Sequence, residues 1–413
     1  MPLKLVSAPW VLPIVSPPIR EGAVLLDDGD TIIAVGTRAA LRGEHPDVVE
    51  VRGGGALLPG LVNAHTHLEL SFLAGAVPGG GGVIAWTRAL GERLREGRGD
   101  TIDVAARAAA HGAKALGTVA LGDVGNGTAG WRALGQAGLG GVFFHELVGS
   151  REARTGDALG DAAGERRAVP AGERPANVTA VPAPHAPYSV GPALMRRIFA
   201  AAAAAGLPTS IHLAEDPDEV ALLRDGTGGW PAVLRALGAS PEDRTPRLSP
   251  CAYLESLGAF ATSRPPLLVH MVHADADDLR RARAAEATIV LCPRSNLHIG
   301  GRLPDVPAML SEGLRLALGT DSLASAPDLS LWAELAALAA AFPAVPAGTW
   351  LHAATAGGAR ALGLSPLGAL AAGRRPGLID VTLPNGSTRA PERDLIDGAA
   401  SRGPSSIDWL AFA

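Results

Sequence analysis

From about residue 57 onward, the chain alternates between two hydrophobic periodicities. Apolar, strand-like runs end near 65, 123, 147, 188, 214, 273, 294 and 323. Between most of them lie Ala- and Leu-rich helical stretches, such as 102–116, 192–205, 217–224, 276–286 and 328–341. Strands that alternate with helices build parallel sheets, because each helix carries the chain back to start the next strand in the same direction. Eight such units in about 290 residues predict a (β/α)8 barrel, whose usual size is about 250 residues. An open, doubly wound sheet is the competing architecture, and no GxGxxG follows a first strand to support it.

The flanks read differently. Residues 1–58 contain short strands and turns: Ala23–Leu26, the Asp27-Asp28-Gly29-Asp30 turn, Thr31–Val35 and Val48–Val51. The apolar run Leu5–Val15 is interrupted by Pro9 and Pro13, with Pro17 and Pro18 just after, and no A-x-A site follows. An edge strand is therefore expected there rather than a signal peptide. Residues 365–413 return to turns and short strands, including Leu378–Leu383. The expected organisation is a small β-sandwich-like domain from 1–58 plus 365–413, and a barrel over 59–364. Segments 150–177 and 225–265 exceed ordinary loop length, as surface insertions or as a lid over a site.

Composition removes several classes. With 47% hydrophobic residues among 413 the chain can bury a large core, and with 4% aromatics that core is mostly Ala, Leu and Val. A net charge of -5 argues against a nucleic-acid partner, which calls for a basic face. No apolar run approaches the roughly 20 residues of a membrane span. The two cysteines, Cys251 and Cys292, form no CxxC, which fits a reducing, cytoplasmic setting.

The chemistry-bearing residues cluster at expected strand ends. In Leu61-Val62-Asn63-Ala64-His65-Thr66-His67, the two histidines are two apart, so on an extended chain they share one side. Paired imidazoles suit zinc or another borderline divalent metal. His212 ends the run Pro208–Leu213, His270 ends Pro266–His270 with His273 three further on, and Asp321 follows Arg315–Thr320. Four sets of ligand-type residues at the C-terminal ends of barrel strands would converge at one mouth. Asp123 ends the second strand and could support that shell. His111 and His352 lie in Ala-rich helical stretches, where packing or solvent exposure explains them.

These motifs resemble the amidohydrolase superfamily. Pro59-Gly60-Leu61-Val62-Asn63-Ala64-His65-Thr66-His67 is similar to its first-strand motif, and His212-Leu213-Ala214-Glu215 to the HxxE of its mononuclear aminohydrolase branch. His270-Met271-Val272-His273 resembles an HCVH segment, which favours His270 over His273, and Asp321 resembles the eighth-strand aspartate. Pro184-His185-Ala186-Pro187-Tyr188 and Pro293-Arg294-Ser295-Asn296 resemble segments of S-adenosylhomocysteine and methylthioadenosine deaminases. The run His65-Thr66-His67-Leu68-Glu69-Leu70-Ser71 is similar to aminodeoxyfutalosine deaminases. The match spans roughly 50 to 380. Lysine occurs only at 4 and 114, so no fourth-strand lysine can bridge two metals, which counts against binuclear relatives.

The resemblance implies one divalent metal, zinc first with Fe2+ or Ni2+ as alternatives, held by His65, His67, His212 and Asp321. It implies Glu215, His270 and Asp321 as catalytic groups that act with a metal-activated water to release ammonia from an aminopurine nucleoside or related heterocyclic amine. It places His185, Glu69, Trp86, Arg294 and Asn296 around a small-molecule substrate, with His298 a further option, and leaves a homodimer open. Two other functions compete: amide or chloride hydrolysis at the same metal, and a metal-binding barrel without catalysis. Glu215 separates them, because protonating a ring nitrogen is most useful when attack falls on a heteroaromatic carbon.

Overall fold

A computed structural model of the protein describes residues 3–95, 99–149, 157–383, 390–398 and 402–412. Five strands open the chain: β1 (Lys4–Val11), β2 (Ile19–Leu26), β3 (Ile32–Thr37), β4 (Val49–Arg52) and β5 (Ala56–Pro59). Eight follow: β6 (Leu61–Thr66), β7 (Thr118–Gly125), β8 (Gly140–Leu147), β9 (Val178–Pro184), β10 (Ser210–Leu213), β11 (Leu267–His270), β12 (Thr288–Leu291) and β13 (Arg315–Leu318). Two close it: β14 (Leu378–Val381) and β15 (Ile407–Ala411). The chain forms two compact units, one of Met1–Ala64, His111–Ala120 and Ser330–Ala413, the other of His65–Ala110 and Leu121–Leu329. The division passes through β6 and β7, away from the boundaries at 58 and 365 expected from sequence.

The first unit carries a seven-stranded sheet in the order β15-β14-β5-β1-β2-β3, with β4 also on β1. Strands from both ends of the chain meet in it: β14 runs antiparallel to β5, pairing Leu378 with Pro59 and Val381 with Ala56. β1 is an interior strand, not the edge strand expected from its prolines. On one side it pairs with β2. On the other, β4 takes Lys4 to Ser7 and β5 takes Trp10 and Val11. Pro9 falls in the gap between β4 and β5, where no N–H is required. The Asp27–Asp30 turn forms as expected, with Asp27 Oδ1 accepting from the backbone N–H of Gly29 and Thr31. One face of the sheet buries Val6, Val11, Val24, Leu26, Leu57 and Leu378 together.

Two further sheets have four strands each, ordered β6-β7-β8-β9 and β10-β11-β12-β13, and β8 to β13 lie wholly in the second unit. The pairs β8–β9, β10–β11, β11–β12 and β12–β13 are parallel. β6, β7, β10, β11 and β12 are buried at every position, as expected when both faces of a parallel sheet are covered. At one sheet edge, the N–H groups of Thr320 and Asp321 donate to the His65 carbonyl at 3.0 and 3.2 Å. At the other edge, the His212 N–H donates to the His185 carbonyl at 2.9 Å. Helices intervene where expected, among them Pro192–Ala205, Pro217–Asp225 and Ala276–Ala284.

Segment 225–265 holds the helices Trp230–Ala236 and Pro250–Ser256 rather than irregular loop. Of segment 150–177, residues 150–156 lie outside the described residues, and Ala158–Ala168 is helical. No helix among the described residues is long and apolar enough to cross a membrane.

Candidate metal centre

The C-terminal strand ends of the second unit bring a set of imidazoles and carboxylates together. His65 lies at the end of β6 and His67 just beyond it; His212 is on β10 and His270 closes β11. Four of the nine non-glycine residues with positive φ among the described residues sit here: Ala214, His270, Met271 and Asp321. Such conformations cost roughly 1–3 kcal/mol each and persist where the surroundings over-determine them, which is common at functional sites.

His67 Nε2 and His212 Nε2 lie 3.3 Å apart, and both rings are buried. Asp321 Oδ1 is 3.6 Å from His67 Nε2 and 3.9 Å from His65 Nε2. Zinc bonds imidazole nitrogen at about 2.0–2.1 Å, so two nitrogens of a tetrahedral zinc sit about 3.4 Å apart. The donor set therefore fits one such ion. Burial also pushes the His65 and His67 rings well below the ordinary imidazole range, so they are neutral and have lone pairs to give.

The supporting contacts aim these groups. His212 Nδ1 donates to the His185 carbonyl at 2.9 Å, which leaves the Nε2 lone pair facing His67. A second cluster, Glu146, His185 and His212, has ligand atoms equally close. It is not independent, because His212 has only that one lone pair to offer. Asp321 Oδ2 accepts from the hydroxyls of Ser295 and Ser325, which turns Oδ1 inward. Asp123 is fully buried and accepts from the Leu68 N–H at 2.8 Å, steadying the turn just after His67.

His270, rather than His273, stands at the centre, with its ring 5.4 Å from that of His212. Asn296 Nδ2 donates to His270 Nδ1 at 3.0 Å, so the His270 proton resides on Nε2, 3.6 Å from Glu215 Oε1. Glu215 stands in the turn that joins β10 to the helix Pro217–Asp225, with its side chain 10% exposed. That helix starts there because Asp216 caps it and Pro217 occupies its first position. Burial, reinforced by Asp321, Glu219 and Asp216, pushes the Glu215 carboxyl well above its usual range.

An inner pocket of about 150 Å³ opens on these groups, lined by His67, Glu215, His270 and Asp321 together with Glu69, Trp86 and His185. Glu69 accepts from the Gly127 N–H at 3.0 Å. His185 Nδ1 donates to Ser189 Oγ at 2.6 Å, and burial holds its pKa down at about 4. Of the other two residues expected there, Arg294 binds Asp328 at 2.8 Å and does not line this pocket, whereas Asn296 stands behind His270 and bonds it. His298 Nε2 bonds the Val77 carbonyl instead.

Glu146 escaped the sequence reading. It lies near the end of β8, lines the pocket, and sits 3.7 Å from His212 Nδ1, with its pKa pushed up to about 7 by burial. An acid ending the apolar run Val142-Phe143-Phe144 was the signal that could have found it.

The amidohydrolase family model matches residues 56–396. The aminodeoxyfutalosine deaminase of Deinococcus radiodurans is 33% identical over 347 residues, 81% of this chain and 80% of that protein. The 5-methylthioadenosine/S-adenosylhomocysteine deaminase of Moorella thermoacetica is 29% identical over 390 residues, 90% of this chain and 84% of that one. Among solved structures, Helicobacter pylori aminofutalosine deaminase in complex with methylthio-coformycin superposes with a TM-score of 0.84 at 22% identity, covering 98% of this chain and all of that one. An adenosine deaminase from Xanthomonas campestris with bound zinc gives 0.75 at 23% identity, covering 99% and 91%. At those identities the structural likeness speaks for the fold, whereas the family match spans most of the chain. This chain belongs to the amidohydrolase family and is a hydrolase of carbon–nitrogen bonds.

Proposed function

We propose that the protein is a metal-dependent deaminase that replaces the amino group of an aminopurine nucleoside with oxygen and releases ammonia. Aminodeoxyfutalosine is the first substrate to test, given the relative at 33% identity. The observation that carries the reading is the position of Glu215: a carboxyl 3.6 Å from His270, in the same pocket as His67, His212 and Asp321, with burial raising its pKa well above the usual range. A carboxyl with a raised pKa is the better placed to give a proton to a weakly basic ring nitrogen.

His65, His67, His212 and Asp321 would hold one divalent ion, zinc before Fe2+ or Ni2+. When bound, such an ion supplies a Lewis acid that brings the pKa of water near 7. Asp321, with Oδ2 held by Ser295 and Ser325, accepts the water proton on Oδ1. His270 donates from Nε2 to the attacking oxygen and keeps it in line. Glu215 protonates the ring nitrogen as oxygen adds to the adjacent carbon. The proton on Asp321 then passes to the amine, the carbon–nitrogen bond breaks and ammonia leaves, while the hydroxyl proton on the attacked carbon is handed back to Glu215, so that the carbonyl product forms and the acid is restored.

Several further features belong to the same reading. The hydrogen bonds at both sheet edges support closure of β6–β13 into a (β/α)8 barrel with the site at its C-terminal mouth, and the terminal strands support a separate small β domain. Two buried cysteines, Cys251 and Cys292, neither in a disulfide, suit a cytoplasmic enzyme. Ammonia release from aminodeoxyfutalosine, methylthioadenosine, S-adenosylhomocysteine and adenosine, with and without added zinc, tests the function. Deamination of none of them, alongside hydrolysis of a triazine chloride, would overturn it.

A further inference from the structure

One wall of the inner pocket is a single helix. Val83, Trp86, Thr87, Leu90 and Leu94 of the helix Gly82–Leu94 line the pocket together with Glu215, His270 and Asp321. Their spacing puts them on one stripe of that helix. Packing holds the helix only lightly, because of its thirteen residues only Val83 and Trp86 are buried.

The local sequence does little to fix where this helix begins. Its N-cap position is Gly81, which has no side chain to accept from the first-turn N–H groups, and Gly80 and Gly82 have positive φ, 83° and 77°. Two residues far along the chain supply what is missing. His298 holds the approach: its Nε2 donates to the Val77 carbonyl at 3.1 Å, and its own carbonyl accepts from the Gly80 N–H at 2.7 Å. Asp216 holds the helix itself, with Oδ2 accepting from the Val83 N–H at 3.0 Å. The other oxygen of Asp216, Oδ1, accepts from the Asp218 N–H at 2.6 Å and caps the helix Pro217–Asp225. One carboxylate, 4% exposed, therefore closes the N-termini of two helices, each of which favours an acidic group there.

We propose that Asp216 is a positioning residue that couples the seating of the helix Gly82–Leu94 over the pocket to the placement of Glu215, its neighbour in sequence. With the bond to Val83 made, the turn 214–216 is pinned by that helix on one side and by Glu219, which accepts from the Glu215 N–H, on the other. With it broken, the helix is freed at its N-terminus and the turn is held from one side only. A substrate that settles the helix over itself thereby fixes the acid beside it. The use made of Glu215 rests on the deaminase reading, whereas the bond and the coupling do not.

Hydrogen exchange of the zinc-loaded protein tests this without turnover. Asp216→Ser keeps a side-chain acceptor for the Asp218 N–H but is too short to reach Val83 as well. Val83→Pro removes the N–H from the other side of the bond, at a first-turn position where proline is tolerated. Each is expected to speed amide exchange in 84–94 and in 214–216 by about threefold or more, with β11 and β12 unchanged. Both variants break the same bond, so the double variant should exchange no faster than the faster single one. Val83→Pro decides the coupling, because it lies 133 residues from Asp216 in sequence and leaves the turn itself unaltered. Unchanged exchange at 214–216 in Val83→Pro, or unchanged exchange at 84–94 in both variants, would overturn the proposal. The kcat for adenosine deamination should fall about threefold or more in Val83→Pro, and faster exchange with an unaltered kcat would overturn the positioning role. If the unmodified protein releases ammonia from no adenosine-type compound, the deaminase reading fails by itself, and the exchange rates still decide the coupling.

Discussion

The carboxyl of Glu219 accepts a hydrogen bond from the backbone N–H of Glu215 at 3.2 Å, and a second from Ala214 at 2.9 Å. Glu219 is fully buried on the helix that follows β10, and Ala214 has a φ of 50°. One side chain therefore satisfies both donors of the strained turn that places Glu215. Glu219→Ala would leave two buried N–H groups unpaired, at roughly 1–3 kcal/mol each. The expected result is a lower melting temperature and a kcat reduced about tenfold or more, with zinc still bound. Glu219→Gln keeps one acceptor and should fall between the two. A kcat equal to that of the unmodified protein in Glu219→Ala would show that the turn holds Glu215 without help.

Glu215→Gln preserves size and hydrogen-bonding capacity but removes the titrating proton. General acid–base groups contribute roughly 100- to 10,000-fold. A loss of that order in kcat is expected, with metal content unchanged. Near-normal deamination would rule out Glu215 as the acid.

Elemental analysis of protein purified without added metal should find one equivalent of a divalent ion. His67→Ala and Asp321→Asn should each lower it sharply. His185→Ala should keep the metal and raise KM, because the bond that aims His212 comes from the His185 backbone carbonyl, which the substitution keeps, while the ring Nδ1 is engaged by Ser189. Two equivalents in the unmodified protein would defeat the single-ion site.

Far from that site, Glu50 accepts from Ser7 at 2.6 Å and from Arg38, and the Arg38 bond above all lowers its pKa from an ordinary 4.5 to about 2. A carboxylate whose pKa is depressed by folding stabilises the fold above the unfolded pKa and loses that contribution as pH falls through the folded one. Glu50→Gln is expected to cost roughly 1–3 kcal/mol at pH 7, with the difference shrinking between about pH 4.5 and 2. Chemical unfolding of both proteins across that range checks it. A difference independent of pH would mean that packing, not charge, accounts for the loss.

The proposed metal ligands and Glu215 were legible because each sits in a short local pattern: two histidines two apart, His212 and Glu215 three apart, Asp321 after an apolar run. The groups that aim them were not. Ser295 and Ser325 reach Asp321 from elsewhere in the chain, and Asn296 reads as a substrate ligand until its partner is seen to be His270. Hydrophobic period reveals which face a residue occupies, never which distant side chain it meets. The same limit made β1 read as an edge strand. Its prolines were visible, but the gap between β4 and β5 that accommodates Pro9 arises only when three strands assemble.

The pairing of β14 with β5 has a consequence for biosynthesis. Pro59 leaves the ribosome about 320 residues before Leu378, its partner across the ladder. At roughly 5–20 residues per second, β5 spends tens of seconds with one row of N–H and C=O groups unmatched. Its sequence in that interval is Ala-Leu-Leu-Pro, an apolar edge open to other nascent chains. Crowded overexpression should therefore favour aggregates seeded by this edge, and slower translation late in the message would lengthen the vulnerable period.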